Sequence, residues 1–331
     1  MANLKEIRRR IKSINNTAKI TRAMEMVAAA KMRRAVESAL AIRDYAYSAW
    51  NILQNLSRAF EKYEYGLLEV RPVQRVLIVI ITSNRGLCGP FNSQLLKKVK
   101  AQLDNPASLL INRVGNKKIE PRVKPEKVEV DFITVGRKGE NLIRRLGRNI
   151  IATFPEMTYL PNIEGIRPLS KIVIDEYLNK RYDKVVVAYT DFKSALQQEP
   201  KIRQLLPVSK LDLEKQLADL ENTSLKTDGS QTESSREELE NKEYIVEYKV
   251  EPNPRVVLEN IFPRLIEMQL YHAILESNAS KESSRMMAMR NATDAAQEIA
   301  EDLTLMHNKI RQMKITQEIS EISAGRAALE K

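Results

Sequence analysis

The sequence predicts an α/β protein in which the N- and C-terminal helices form a long antiparallel coiled coil and a parallel α/β domain lies between them. Three observations predict it. Helix breakers are missing from both ends of the chain. Both ends carry an apolar stripe at three- and four-residue steps. The middle alternates apolar strand-length runs with helical patterns.

All ten Gly and thirteen Pro except Gly325 lie between Gly66 and Pro263. Met1 to Tyr65 and Arg264 to Ala324 are therefore free of breakers, far beyond the usual helix length. Sixty helical residues span about 90 Å, so these helices must protrude from a domain. The boundaries expected are 1–65 for the N-terminal helix, 66–251 for the α/β domain and 252–331 for the C-terminal helix. In the first helix Leu4, Ile7, Ile11, Ile14 and Ala18 form the stripe, and Ile20, Met24 and Val27 continue it after a slip. In the last, Ile299, Leu303, Met306, Ile310 and Met313 are followed, after another slip, by Ile315, Ile319 and Ile322. Two helices lying on an ordinary core would also show stripes. The excess length favours a coiled-coil pair. With a domain between them, the two must run antiparallel.

The stretch ITRAMEMVAAAKMRRA (20–35) is a thin, smooth helix with Ala at 23, 28, 29, 30 and 35 and basic residues at Lys31, Arg33 and Arg34. Residues 1–60 carry twelve Lys and Arg against four Asp and Glu, whereas residues 264–331 carry nine against ten. The overall charge of +11 is thus expected to concentrate on the N-terminal helix, where an acidic partner should meet it.

In the middle, RVLIVIITS (75–83) reads as a buried parallel strand. SNRGLCGPFN follows, then a helix over SQLLKKVKAQL. VEVDFITVG (128–136) is a second strand, with a helix over 137–148. IIATFP is a short third strand. A helix is expected after Pro168 (LSKIVIDEYLNKRY), then a strand over 183–192. Edge strands are expected within 194–208 and 244–251. The alternation predicts a right-handed, Rossmann-like parallel sheet. Residues 209–243 carry five Lys and Arg against ten Asp and Glu and are rich in Ser and Thr, the composition of a flexible insertion.

Several function classes are excluded. SNRGLCGPFN lacks both the G-x-G-x-x-G fingerprint and the P-loop ending, so it reads as a tight βα turn in which Gly86 and Gly89 supply backbone freedom. One cysteine, Cys88, and two histidines, His272 and His307, leave no zinc site and no nucleophile–histidine pair. Both histidines are expected on the surface of the last helix. No apolar run is long enough to span a membrane, and no signal peptide is expected. No cofactor is expected. A nucleic-acid-binding coiled coil is disfavoured because the basic residues are not interleaved with stacking aromatics.

Three motifs in order carry a family resemblance: NLKEIRRRIKSINNTAKITRAMEMVAAAKMRRA, SNRGLCGPFN, and MMAMRNATDAA followed by KIRQMKITQEISEISAG. The sequence resembles the gamma subunits of F-type ATP synthases over nearly its whole length. At Arg326 it departs from the small residue usual after the glycine. The resemblance implies a non-catalytic rotary shaft. Its coiled coil would turn inside a ring of three alpha and three beta subunits, and its foot would bind the epsilon subunit and the c-ring. It implies active sites on the beta subunits and a peripheral position on the cytoplasmic or stromal-type face of an energy-coupling membrane. By motif, Arg311 and Gln312 match the pair that engages a loop of one beta subunit. Met24, near Lys31 and Arg33, falls where the shaft passes an acidic beta lever. The insertion at 209–243 stands where photosynthetic members carry a segment that restrains ATP hydrolysis. It has no cysteine, so a dithiol switch is excluded.

Overall fold

The computed structural model describes residues 4–60, 66–110, 112–114, 117–119, 128–158, 163–208 and 253–329. The expected edge strand at 244–251 and the insertion at 209–243 lie outside the described residues. The chain forms two compact units, one of Met1–Ala30 with Arg285–Lys331 and one of Lys31–Ser284.

Helix α1 runs from Leu4 to Phe60, 57 residues, and the last helix, α6, from Pro254 to Leu329, 76 residues. At 1.5 Å per residue they measure about 86 and about 114 Å. Pro254 opens α6 at a position where a missing N–H costs nothing. The helix then passes through Pro263.

In the first unit α1 buries an unbroken heptad seam. Leu4, Ile7, Ile11, Ile14, Ala18, Thr21, Glu25 and Ala28 are buried or half-buried and step 3, 4, 3, 4, with Met24 and Ala29 half-buried on the flanks of the seam. The slip expected after Ala18 does not occur. Ile20 and Val27 lie outside the seam, exposed. On α6 the seam is Met289, Thr293, Ala296, Ala300, Leu303, His307 and Ile310. Leu303 and Ile310 were expected there; Ile299, Met306 and Met313 are exposed instead. His307 is a half-buried seam residue rather than a surface one.

One contact fixes the pairing: the Thr21 and Thr293 hydroxyl oxygens lie 2.6 Å apart. Stepping both seams away from it in opposite directions keeps seam against seam, with Ala18 opposite Ala296, Ile7 opposite His307 and Leu4 opposite Ile310. Burial on α6 stops at Ile310, and every residue from 311 to 326 is exposed. Leu4, the first described residue of α1, stands opposite Ile310 in this register.

The second unit holds a five-stranded sheet of β1 (Arg75–Ile81), β4 (Glu129–Val135), β5 (Ile150–Thr153), β6 (Lys184–Phe192) and β7 (Gln198–Leu206). The order is β5-β4-β1-β6-β7. All neighbours are parallel except β7, which runs antiparallel to β6. β1 is central and buried on both faces, which is why it reads as a continuous apolar run. Leu77, Val79 and Ile81 face α5 (Ile163–Leu178) and α6. Val76, Ile78 and Ile80 face α2 (Phe91–Asp104) and α4 (Arg137–Arg145). α5 starts at Ile163, six residues before the expected start, and runs through Pro168. A short helix α3 (Ala107–Leu110) and a hairpin, β2 (Asn112–Val114) with β3 (Lys117–Ile119), were not expected. The Gly115-Asn116 dipeptide between these strands is the missed hairpin signal.

Candidate partner interface

The SNRGLCGPFN turn sits at the carboxyl end of β1, beside the point where the strand order reverses. Ligands of open α/β sheets bind there. In this chain the turn is tied into the protein. The Ser83 amide donates to Asn92 Oδ1 (3.0 Å), and Asn92 Nδ2 donates back to Ser83 Oγ (2.8 Å). Asn84 Nδ2 donates to the Pro155 carbonyl, and Asn84 Oδ1 accepts from the Arg137 amide (3.0 Å). One asparagine thus links the loops after β1, β4 and β5. Left-handed backbone occurs at Leu87 (φ 62°) and Gly89 (φ 51°), not at Gly86 as expected. At Gly136 (φ 100°) an added Cβ would lie 2.2 Å from the Thr82 carbonyl oxygen, so the loops after β1 and β4 meet at van der Waals limits. Among the described residues no His, Cys, Asp or Glu group could hold a metal.

The root of α6 is fastened to the β6–β7 hairpin by serines in the sequence NASKESS. Ser280 Oγ donates to the Thr190 carbonyl (3.2 Å) and Ser283 Oγ to the Ala195 carbonyl (2.6 Å). Ser284 Oγ donates to Gln198 Oε1 (3.0 Å). One turn earlier Glu276 is largely buried. Desolvation first, and the neighbouring Asp191 second, push its carboxyl well above the usual carboxylate range. Burial there favours the protonated form. Asp191 is held by Lys201 at 2.5 Å.

Most of the exposed large apolar side chains among the described residues lie on the terminal helices. Ile20, Met26 and Val27 on α1, and Ile299, Met306, Met313, Ile315, Ile319 and Ile322 on α6, form apolar positions outside the seam, all exposed. Contiguous exposed apolar surface marks an interaction site. Arg311 and Gln312 lie immediately past the last seam residue and are exposed. Met24 is half-buried beside the seam; Lys31 and Arg33 are exposed. Lys31 and Arg33, two residues apart on α1, point in opposite directions. Antiparallel pairing sets Met24 level with Arg290, about 30 Å along the axis from Arg311. Met24 thus lies well apart from Arg311 and Gln312.

The expectation that positive charge concentrates on the N-terminal helix is incomplete. Residues 97–148 carry fourteen Lys and Arg against six Asp and Glu, an excess equal to that of residues 1–60. Counting charge along the whole middle domain would have found it.

A family model described as ATP synthase matches residues 3–329. The ATP synthase gamma chain of Dehalococcoides mccartyi (strain CBDB1) is 38% identical over 331 residues, covering 99% of this chain and 100% of that one. The Roseiflexus sp. (strain RS-1) gamma chain is 39% identical, covering 99% of each. A chain of the Tetrahymena thermophila mitochondrial ATP synthase central stalk and c-ring structure is similar with a TM-score of 0.54 at 26% identity. That match covers 82% of this chain and 99% of that one. A chain from the Euglena gracilis mitochondrial ATP synthase shares the fold with a TM-score of 0.58 at 16% identity, over 98% of this chain and 94% of that one. Matched from end to end by full-length relatives of one name, this chain belongs to the ATP synthase gamma chain family.

Proposed function

We propose that the chain is the central-stalk rotor subunit of a proton-driven ATP synthase. The paired terminal helices turn inside a ring of three alpha and three beta subunits. The α/β domain, with 66–251 as its bounds, is the foot that meets the epsilon subunit and the c-ring. The chain transmits torque and supplies no catalytic group; the active sites belong to the beta subunits. It is peripheral to the membrane, on the cytoplasmic or stromal-type face. No helix among the described residues is long and apolar enough to cross a membrane, which agrees with attachment through the c-ring.

The observation that carries this reading is the run of α6 from 311 to 326, exposed throughout although it holds Met313, Ile315, Ile319 and Ile322. An isolated helix with that much apolar surface in water needs a sleeve. The small seam residues Ala18, Thr21, Ala28, Thr293, Ala296 and Ala300 let the two helices approach closely, and a slim pair suits rotation inside a sleeve. We assign Arg311 and Gln312 to a beta-subunit loop, and Met24, Lys31 and Arg33 to the acidic beta lever. Arg311 suits such an ion pair because its planar fork binds carboxylate in two places. We further assign restraint of ATP hydrolysis to segment 209–243.

Co-expression with the alpha and beta subunits tests the reading. One copy should assemble per three of each, and Arg311→Ala should lower ATPase activity while leaving the assembly intact. Intact assembly with unchanged activity would remove the role given to Arg311. Failure of folded alpha and beta subunits to capture the chain would remove the rotor reading.

A further inference from the structure

The second positive block has a structural basis of its own. α2 turns Phe91, Leu95 and Val99 to the sheet, so the 100° step per residue puts Lys97 and Lys100 on its outer side. α4 turns Gly139 and Ile143 inward, which leaves Arg137, Lys138, Arg144 and Arg145 outward. The two helices pack side by side on one face of the sheet, and Arg148 follows α4. All these cations are exposed. Arg144 pairs with Glu140 at 3.0 Å. Lys97, Lys100, Arg137, Lys138, Arg145 and Arg148 enter no ion pair among the described residues. Glu140 is half-buried, and Asp104, at the end of α2, is the exposed acidic residue on these helices.

We propose that this α2–α4 face is a docking surface for anionic phospholipid headgroups. The inference rests on the rotor reading, which places the foot beside a membrane-embedded ring. Charge density and the lack of apolar anchors select the occupant. Protein interfaces have a desolvated apolar core, yet Leu146 is the one large apolar side chain exposed on either helix or its cap among the described residues. Nor does the face interleave its cations with exposed stacking aromatics, as single-strand nucleic-acid platforms do. Lys and Arg without apolar anchors match a surface of phosphates, where each cation within a Debye length of the headgroups adds to the attraction.

The test is flotation of the full chain with phosphatidylcholine vesicles, with and without phosphatidylglycerol. Binding should require phosphatidylglycerol and weaken with salt. The set Lys97→Glu, Lys100→Glu, Arg145→Glu and Arg148→Glu should weaken it about tenfold or more. A control set on the opposite layer (Arg167→Glu, Lys171→Glu, Lys180→Glu and Arg264→Glu) changes the net charge equally and should leave most of the binding. Equal loss from both sets would reduce the effect to net charge and overturn the site. So would equal binding to both vesicle types. A tighter complex with duplex DNA, lost in the same four-residue variant, would replace lipid with nucleic acid. If the reversed set loses helical dichroism, the corresponding Gln set gives the answer, with a smaller loss expected and no loss overturning the proposal. Capture of the same variants by alpha and beta subunits is read separately, so failure of the rotor reading remains distinguishable.

Discussion

The Glu276 carboxyl stands among Asp191, Lys201, Arg203, Tyr189 and His272, where α6 crosses β6 and β7. Its 3.6 Å approach to His272 is not an ion pair while the carboxyl stays protonated. Burial raises its pKa above the ordinary value of 4.5. Unfolding then releases a proton above that value, so this group lowers stability as pH rises towards its folded pKa. Glu276→Gln keeps the shape and stays neutral. The variant should gain thermal stability over the parent as pH climbs from about 4.5, the unfolded carboxyl range, towards 8. Melting curves across pH check it; a constant offset between the two proteins would show that Glu276 does not titrate differently in the fold. Nothing in the sequence marked this residue, because burial of a lone Glu on a long helix depends on which strands pack over it. Asn84 and Asn92 were hidden for a similar reason. Their motif was legible, but not that its amides would close the turn that a phosphate would otherwise fill.

The two long helices were legible from the distribution of Gly and Pro, while their faces were misread. Choosing the bulkiest apolar residues gave Ile20, Met24 and Val27, with a slip. The seam runs instead through Thr21, Glu25 and Ala28. Ile20 and Val27 belong to a second face turned away from α6, and Met24 lies half-buried beside the seam. A one-dimensional pattern adds both kinds of burial together and cannot separate a partner inside the chain from one outside it. The Thr21–Thr293 contact adds register. Thr21 Oγ1 also reaches the Ala18 carbonyl (3.0 Å) and Thr293 Oγ1 the Met289 carbonyl (2.9 Å). One hydroxyl can therefore donate across the seam while the other donates to its own backbone, and a polar seam position favours one alignment. The faces separate by mutation. Ala28 is 1% exposed, so Ala28→Leu should overpack the seam and cost about 1–3 kcal/mol in denaturant unfolding. Val27, 55% exposed, should tolerate Ser within about 0.5 kcal/mol in the free chain. A larger loss at Val27 than at Ala28 would mean that the seam lies where the bulky residues are.

Across the whole molecule, charge is segregated along the chain. Residues 1–60 and 97–148 hold equal positive excesses, and residues 209–243 hold ten Asp and Glu against five Lys and Arg. The acidic segment joins the end of the sheet to α6, the helix assigned to torque. Under the proposed reading, a negative segment on the rotor would weaken the attraction between its cationic helix and acidic loops of the surrounding ring, through the solvent and over distances set by screening. Deleting 209–243 removes that opposition and raises the net charge from +11 to +16. The assembled complex carrying the deletion should hydrolyse ATP faster than the parent at low salt. If the effect is one of field, the difference should shrink as ionic strength shortens the Debye length from about 30 Å at 0.01 M to about 8 Å at 0.15 M. A salt-independent increase would point to a direct contact of the segment with the ring. Unchanged ATPase at every salt concentration, in a complex of normal stoichiometry, would remove the regulatory role and leave 209–243 as an insertion that the rotor merely tolerates.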